Sequence, residues 1–586
     1  MKGARSAWRL PALGLPGVAG LLAAFLVSQY AYAWRVPFIN DDYVFLDLTR
    51  AMPWRGVWAP HLLWVGRYYR PWSRELHYWT LQHLFGVREG PFHGASFVLW
   101  LGVLLLYYLL ARRLAGTRVA GVATAGAAAL AAWGLPVVWA AGAQDLWMML
   151  FAVASLFLFV QGRALPAALA YALALLSKET AALLPVIALA LAVLAGRRPF
   201  REGLRRAAPL FVVGAVWAAL HPQLGGRLWH LSDWPAVRGE TGPLRAALGT
   251  LLAVVNLDGL PRPEFGWRGP LLVGAPGVLA LAALTWWALR APREPETDTS
   301  AGPRLAAAAG VWAVTGWLPL LLPSIGWHAY YGLFGMLGAW LLLGTLLARR
   351  RAMALALVAA LALLRATQAA TVSRDWGDEW YQRRAAEFIG FMRHDLLAKL
   401  PAPPRHSRLY FSGVPSNVGF LQGDGPALRV WYGDSTVRAG LLSQYRVRPA
   451  GAPPGPDRFF RFDSTAGWLE IRWPRGLLAV RGDAAERFRD DHERLAIALS
   501  RGENWPAAAA EYAKLATIYP DSVTYAYYAG LATLVTGDSA AASVWLARAA
   551  ALPGADEEIR AAARELQGSG SPRLRAAAPH GAAGGR

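Results

Sequence analysis

Apolar residues over the first 370 positions come in long blocks, unlike the alternation of a half-buried sheet or the one-sided stripe of a surface helix. Blocks that could cross about 30 Å of hydrocarbon lie near 12–34, 92–111, 119–141, 146–161, 164–177, 180–196, 207–220, 271–289, 305–323, 329–348 and 352–370. They predict a polytopic α-helical membrane protein of about eleven spans. Several blocks are short, and 247–257 (LGTLLAVVNLD) reads as a half-helix or re-entrant piece. The first block also resembles a secretory signal, with Ala31-Tyr32-Ala33 as a cleavage site, but its apolar core is long for a signal and retention is expected.

The pattern changes after residue 370. Pro/Gly-rich turns (PAPPRHS, PAGAPPGPD) separate short β-prone runs, RLYFSG, LRVWYG, WLEIRW and LLAVRG, and predict a small soluble α/β domain over 371–483. Residues 484–567 turn helical, with Pro520 and Pro553 33 apart and Gly502 and Gly537 35 apart, close to the tetratricopeptide length. This short TPR-like segment holds fewer units than usually stand alone, so it is expected to lean on the domain before it. Residues 568–586 have the composition of a disordered tail.

Composition agrees with the blocks: 55% of the 586 residues are hydrophobic, 17% are charged, and mean hydropathy is +0.28. The net charge of +21 does not indicate nucleic acid, because residues 1–370 hold 32 Lys and Arg against 15 Asp and Glu while the remainder holds 27 against 23. The excess sits between apolar blocks, where lipid headgroups account for it. If the N-terminus (Lys2, Arg5, Arg9) is cytoplasmic, the inside connections carry Arg112, Arg113, Arg118, Arg163, Arg197, Arg198, Arg201, Arg205, Arg206, Arg290, Arg293, Arg304 and Arg349 to Arg351, and the short outside turns carry only Lys178. That asymmetry puts the loops 35–91 and 221–268, with everything after 370, on the outer face. Arginine-rich, alanine-rich usage points to a bacterial inner membrane. The absence of cysteine excludes disulfides, thiolate metal sites and cysteine nucleophiles.

Candidate chemistry begins at Asn40-Asp41-Asp42-Tyr43, just past the first block. A carboxyl group at a membrane boundary becomes a stronger base as the dielectric falls. The competing reading is a helix cap for YVFLDLTR. In the loop that follows, Trp54, Trp58, Trp64, Trp72 and Trp79 read as interfacial anchors. His61, His77, His83 and His93 share that loop but lack the i,i+4 spacing of a zinc helix. Gly423 and Gly425 lack the Lys-Ser/Thr of a phosphate loop, and Asp434 reads as a turn residue.

Several motifs occur together in order: the Asp pair, Tyr69-Arg70-Pro71, LFG, PFH, LPVVWAAGAQDLW with Asp145, LALLSKET with Ser177, Lys178 and Glu179, WLPLLLPSIGWHAYYGLFG, and SRDWGDEW with Arg374 and Trp376. This set resembles the GT-C class of polytopic glycosyltransferases, in particular the protein O-mannosyltransferase and aminoarabinose transferase-like members with C-terminal tetratricopeptide repeats. The likeness covers residues 10 to 385. It departs where Trp327-His328-Ala329 replaces the usual Glu-Arg before a tyrosine.

The resemblance implies an inverting transfer of a sugar from a polyprenyl-phosphate donor to a protein, lipid or glycan acceptor on the outer face. Asp41 would be the general base, and Asp42 would orient it or bind a divalent cation, Mg or Mn. Arg70, Lys178, Glu179, Asp145, His328, Tyr330, Tyr331 and Arg365 are the expected donor-phosphate and substrate residues. Lys178 has a structural alternative, an ion pair with Glu179 or Asp145, and Arg365 is a charge inside the last block. Two other functions remain open. One is a membrane-anchored TPR scaffold that docks a protein partner, and the other is a flippase of lipid-linked glycans.

Overall fold

The computed structural model describes residues 14–59, 69–221, 242–259, 268–291, 302–321, 327–371, 377–414, 424–473 and 483–568. They divide into two units, 1–388 and 389–586. His61, Trp64, Arg374, Trp376, Gly423, most of the loop 221–268 and all but the first residue of the tail lie outside the described residues.

The first unit is helical. Its elements are α1 (Leu15–Tyr30), α2 (Asp41–Arg50), α3 (His77–Phe85), α4 (Glu89–Ala128), α5 (Ala143–Val160), α6 (Ala164–Leu175), α7 (Phe200–Leu220), α8 (Pro243–Ala253), α9 (Arg268–Arg290), α10 (Gly302–Trp317), α11 (Leu333–Leu347) and α12 (Arg351–Thr371), with shorter helical turns between them. Among the described residues seven helical stretches are long and apolar enough to cross a membrane: Leu15–Arg35, Glu89–Ala128, Ala140–Val160, Phe200–Leu220, Leu271–Arg290, Ala329–Leu347 and Arg351–Ala369. The chain is an integral, multi-pass membrane protein.

The gap between seven and the expected eleven has a geometric cause. At about 1.5 Å per residue the 12-residue α6 reaches about 18 Å, short of the hydrocarbon thickness. The block at 180–196 splits into a seven-residue helix and a π-helical turn, and the block at 305–323 forms the 16-residue α10. Conversely, two expected spans share the 40-residue α4, which breaks at Gly116 with φ +78° and ψ 173°, a conformation that needs glycine.

α4 is the central helix of this unit and packs against α1, α5, α9 and α11. Small residues allow the approach: a Cβ added at Gly121 would stand 2.1 Å from Ala288 Cβ, and one at Gly126 2.1 Å from the Trp340 ring. Trp340 is fully buried, and its indole donates to Val254 O at 3.1 Å. Asn256, at φ +55°, ties three segments together. Its Oδ1 accepts from Ala131 N–H at 2.8 Å, and its Nδ2 donates to Ala129 O at 2.9 Å and Leu361 O at 3.0 Å. Each bond satisfies a backbone group that has no water to turn to.

The second unit carries a four-stranded sheet in the order β2-β1-β3-β4, with β1 (Arg408–Ser412), β2 (Arg438–Leu441), β3 (Asp457–Asp463) and β4 (Gly467–Glu470). β1 pairs in parallel with β2 and β3, and β3 and β4 form an antiparallel hairpin. The turn of that hairpin is closed by Asp463 Oδ1, which accepts from Thr465 N–H and Ala466 N–H, both at 3.0 Å. One expected strand is corrected: LRVWYG lies in a helix, Pro426–Tyr432. Pro426 at the first helical position, with Gly425 and Gly433 both left-handed at its ends, overrides the β-preference of the side chains. LLAVRG lies outside the described residues, and Asp434 accepts from Thr436 N–H at 2.8 Å, as a turn residue does.

Five helices follow, α13 (Asp483–Arg501), α14 (Trp505–Ile518), α15 (Val523–Val535), α16 (Ser539–Ala551) and α17 (Glu557–Gly568), each packed on the next. Asn504, Ser522 and Asp538 cap three of them through their side chains. Gly530 admits Leu546, since a Cβ there would meet its side chain at 2.7 Å. The core of these helices is continuous with Tyr410, Leu442 and Tyr445 of the sheet region, and Asn504 Nδ2 donates to the Tyr445 hydroxyl at 2.7 Å.

Gly126→Leu is expected to destabilise the protein by about 1–3 kcal/mol through overpacking against Trp340, measured as a lower Tm in detergent. Gly310→Ala is the control, because no atom lies within 4 Å of a Cβ at that position.

Candidate active site

The Asp pair opens α2. Asn40 precedes it at φ +48° and ψ −120°, a costly backbone position for a residue with a Cβ, which turns the chain sharply from the segment after α1 into the new helix. The helical spacing then sends the two carboxylates to different surroundings.

Asp42 is 1% exposed. Its Oδ2 accepts from Ile39 N–H at 2.9 Å, and its Oδ1 accepts from the Tyr78 hydroxyl at 2.7 Å and from Ala141 N–H at 2.8 Å. Burial pushes this carboxyl up to about 7, against the three donors that favour its charge. The capping role that the sequence suggested is not taken up: no side chain caps α2 at Asn40, and the Asp42 carboxylate instead ties the helix start back to Ile39 N–H. Oδ1 thus takes two protein donors and Oδ2 takes one.

Asp41 is only half-buried, and among the described residues no hydrogen bond or ion pair reaches its carboxylate. Burial raises its pKa above the ordinary 3.8, and the nearby Arg70 and Arg74 guanidiniums oppose the shift. A carboxylate that is open, basic and close to cations is chemically able to accept a proton from an incoming hydroxyl.

The turn that leads into α5 organises the cations. Ala141 donates to Asp42, as described. Gln144 Oε1 accepts from Arg70 Nη1 at 2.8 Å, and its Nε2 donates to Ala141 O at 3.1 Å. One residue on, Asp145 takes both of its bonds from Lys178 Nζ, at 2.6 and 2.7 Å, with Lys178 6% and Asp145 5% exposed. Arg70 also donates to Glu179, from Nη2 at 2.6 Å and from Nε at 3.0 and 3.1 Å. The adjacent charges Lys178 and Glu179 therefore take different partners. Ser73 Oγ donates to Ser177 O at 2.7 Å, which fastens the π-helical turn Pro71–Leu76 to the Lys178 turn.

Lys178 Nζ lies 4.9 Å from the Tyr331 ring centre and 5.4 Å from that of Tyr330. The two tyrosine rings are 4.2 Å apart, and His328 stacks on Tyr330 at 6.0 Å and 20°. His328 and Tyr330 also line an open pocket with Ala131, Trp327, Asp258, Gln368 and Glu379. The structure thus brings together Asp41, Asp42, Arg70, Lys178, Glu179, Asp145, His328, Tyr330 and Tyr331.

Arg365 does not join this group. It is 1% exposed, pairs with Glu379 at 2.7 Å, donates to the Tyr30 hydroxyl at 3.1 Å and stacks over the Tyr30 ring at 4.2 Å. Tyr32 also bonds Glu379. That guanidinium is part of a buried polar cluster whose Glu379 lines the pocket with His328 and Tyr330. The described histidines of that loop are engaged with neighbouring groups. Burial pulls His77 down to about 4 and its Nδ1 accepts from Trp147 Nε1 at 3.2 Å, His83 stacks on Trp79, and His93 bonds Val36 O. Among the described residues no group of three His, Asp or Glu is placed to hold a metal ion.

Sequence reasoning missed Arg74, Glu75, Tyr78 and Gln144. A signal was present, since Arg70, Arg74 and Tyr78 stand four apart, the spacing that puts residues on one helical face.

No protein-family model matches this chain, and no curated protein matches it. Among solved structures, it is similar to ArnT from Cupriavidus metallidurans bound to undecaprenyl phosphate, at 14% identity and a TM-score of 0.36, over 77% of this chain and 93% of that one. It is also similar to the Archaeoglobus fulgidus oligosaccharyltransferase in the apo form, at 14% identity and a TM-score of 0.38, over 82% of this chain and 69% of that one. Against the Archaeoglobus fulgidus enzyme in complex with Zn and sulfate the values are 14% and 0.38, and this chain spans 61% of that chain's length. Similarity at this distance carries no argument about chemistry, which rests on the side chains.

Asp145→Asn removes one partner of a buried ion pair and is expected to cost about 3–5 kcal/mol, read as denaturant or thermal unfolding in detergent. Asp145→Leu with Lys178→Met removes both charges and is expected to recover most of that loss.

Proposed function

We propose that this chain is a membrane glycosyltransferase that moves a sugar from a polyprenyl-phosphate donor to an acceptor hydroxyl on the outer face. The observation that carries the reading is the division of labour in the Asp pair: Asp42 is held by three donors, and Asp41 is left open beside Arg70 and Arg74. Such a donor is an amphiphile. A bundle whose charged cluster lies at the ends of its spans lets the tail stay in lipid while the phosphate meets cations.

In the proposed step Asp41 takes the proton of the acceptor hydroxyl as its oxygen attacks the anomeric carbon. The bond from that carbon to the phosphate oxygen breaks, and its electron pair leaves with the phosphate. Attack from the face opposite the leaving group inverts the anomeric centre. Lys178 has three ammonium hydrogens; two reach Asp145, and the third is available to a phosphate oxygen as charge grows there. Arg70 adds a second cation whose position is set by Glu179 and Gln144. His328, Tyr330 and Tyr331 form the wall beside Lys178 and take the place of the arginine that the family resemblance would supply.

A divalent cation fits this donor set poorly, because with Asp42 committed Asp41 is the one carboxylate of the pair left to bind it. No step is routed through a metal. The helices α13–α17 are assigned a TPR-like role in engaging the acceptor or a protein partner, and the second unit is placed on the outer face of a bacterial inner membrane, with the N-terminus cytoplasmic.

Asp41→Asn is expected to lower consumption of a lipid-linked sugar by membranes about 10²- to 10⁴-fold, with expression and Tm unchanged; full turnover in that variant would defeat the reading. In the native protein, turnover should fall as pH drops through a midpoint above 3.8, because burial raises Asp41 and only its deprotonated form accepts the proton. A pH-rate profile checks the position of that limb.

A further inference from the structure

The puzzle of the site is that two guanidiniums act on Asp41 and neither pairs with it. The charged groups acting on this carboxylate are Asp42 on its own helix and Arg70 and Arg74 on the neighbouring segment. An open carboxylate next to an arginine is ordinarily taken up in a bidentate pair, the strongest arrangement the two groups can form. Such a pair at Asp41 would occupy the oxygen that must accept a proton.

Each arginine has a carboxylate of its own. Arg70 is held by Glu179 and Gln144. Arg74 is held by Glu75, with its guanidinium donating to Glu75 Oε1 while also lying over the Phe45 ring at 5.6 Å. Glu75 is an expensive residue to keep there. It is 1% exposed, and its second oxygen, Oε2, meets no hydrogen-bond donor. Burying a charge in this way is seldom worth its desolvation for stability alone, and apolar residues would serve packing better.

We propose that Glu75 is a positioning residue for the base: it holds the Arg74 guanidinium in an ion pair and so keeps Arg74 from closing on the Asp41 carboxylate. This rests on the reading of Asp41 as the base, and Glu179 does the same for Arg70. The arrangement leaves positive potential near the site for a leaving phosphate without a cation seated on the base.

The test uses the full chain in detergent or nanodiscs, with a lipid-linked sugar and an infrared titration of the Asp41 carboxyl band, assigned by difference from Asp41→Asn. In Glu75→Gln, Arg74 loses its ion pair with Glu75. The expected result is a fall in kcat of about tenfold or more with KM little changed. Both the acidic limb of the pH-rate profile and the infrared midpoint should move down by about one pH unit or more, as an arginine pairs with the carboxylate. Adding Arg74→Met to Glu75→Gln should return the midpoint to the native value or above it. An infrared midpoint that stays in place in Glu75→Gln overturns the proposal, as does one that stays low in the double variant. The infrared arm needs no turnover, so it decides the question even if Asp41→Asn proves fully active and the base assignment falls. If Glu75→Gln does not fold, the double variant, which buries no unpaired charge, carries the test: a midpoint below the native one overturns the proposal.

Discussion

The site depends on one rule of apolar surroundings: a polar group removed from water must find a partner within the protein. Asp42 obeys it most fully. Its carboxylate takes donors from the segment before α2, from α3 and from the turn before α5, so three parts of the chain that are far apart in sequence are held by one side chain. Hydrogen bonds to a charged group contribute about 1.5–3 kcal/mol each, and here they also set the direction in which the next carboxylate points. Asp41 inherits its place from a neighbour with no freedom to move.

The same rule explains how so many charges gather in one region without mutual repulsion. Lys178 is matched by Asp145, Arg70 by Glu179 and Arg74 by Glu75. Arg365 repeats the pattern elsewhere with Glu379. Each cation with an acid of its own is fixed in direction, and a fixed cation can face a developing negative charge without reorganising. Asp41 stands outside this pairing, which is what makes it chemically interesting.

Much of the fold could be read in advance because hydrocarbon imposes a crude length requirement on sequence. The blocks that became α1, α7, α9, α11 and α12 were visible from composition alone. The structure departs from the expected blocks where length or local caps decide. α6 is apolar but only 12 residues long, two expected spans share α4 on either side of Gly116, and LRVWYG is helical because Pro426 and its flanking glycines outweigh its side chains. Of the candidate site, the Asp pair, Arg70, Asp145, Lys178 and Glu179 could be picked out by residue type and position. Arg74, Glu75, Tyr78 and Gln144 are ordinary residues of an amphipathic loop and an apolar turn until they are seen in contact.

The sequence by itself determined that the chain spans a membrane many times, that its charge is concentrated between the spans, and which few ionisable residues stand close to them. These are properties of composition and spacing, which hydrophobic transfer reads directly. Tertiary structure decided the long-range pairs, Arg70 with Glu179 and Lys178 with Asp145. Glu179 lies 109 residues from the arginine it pairs with, and no local preference joins them. The choice is made by whichever packing leaves the fewest charges unpaired away from water, and here that packing leaves Asp41 open.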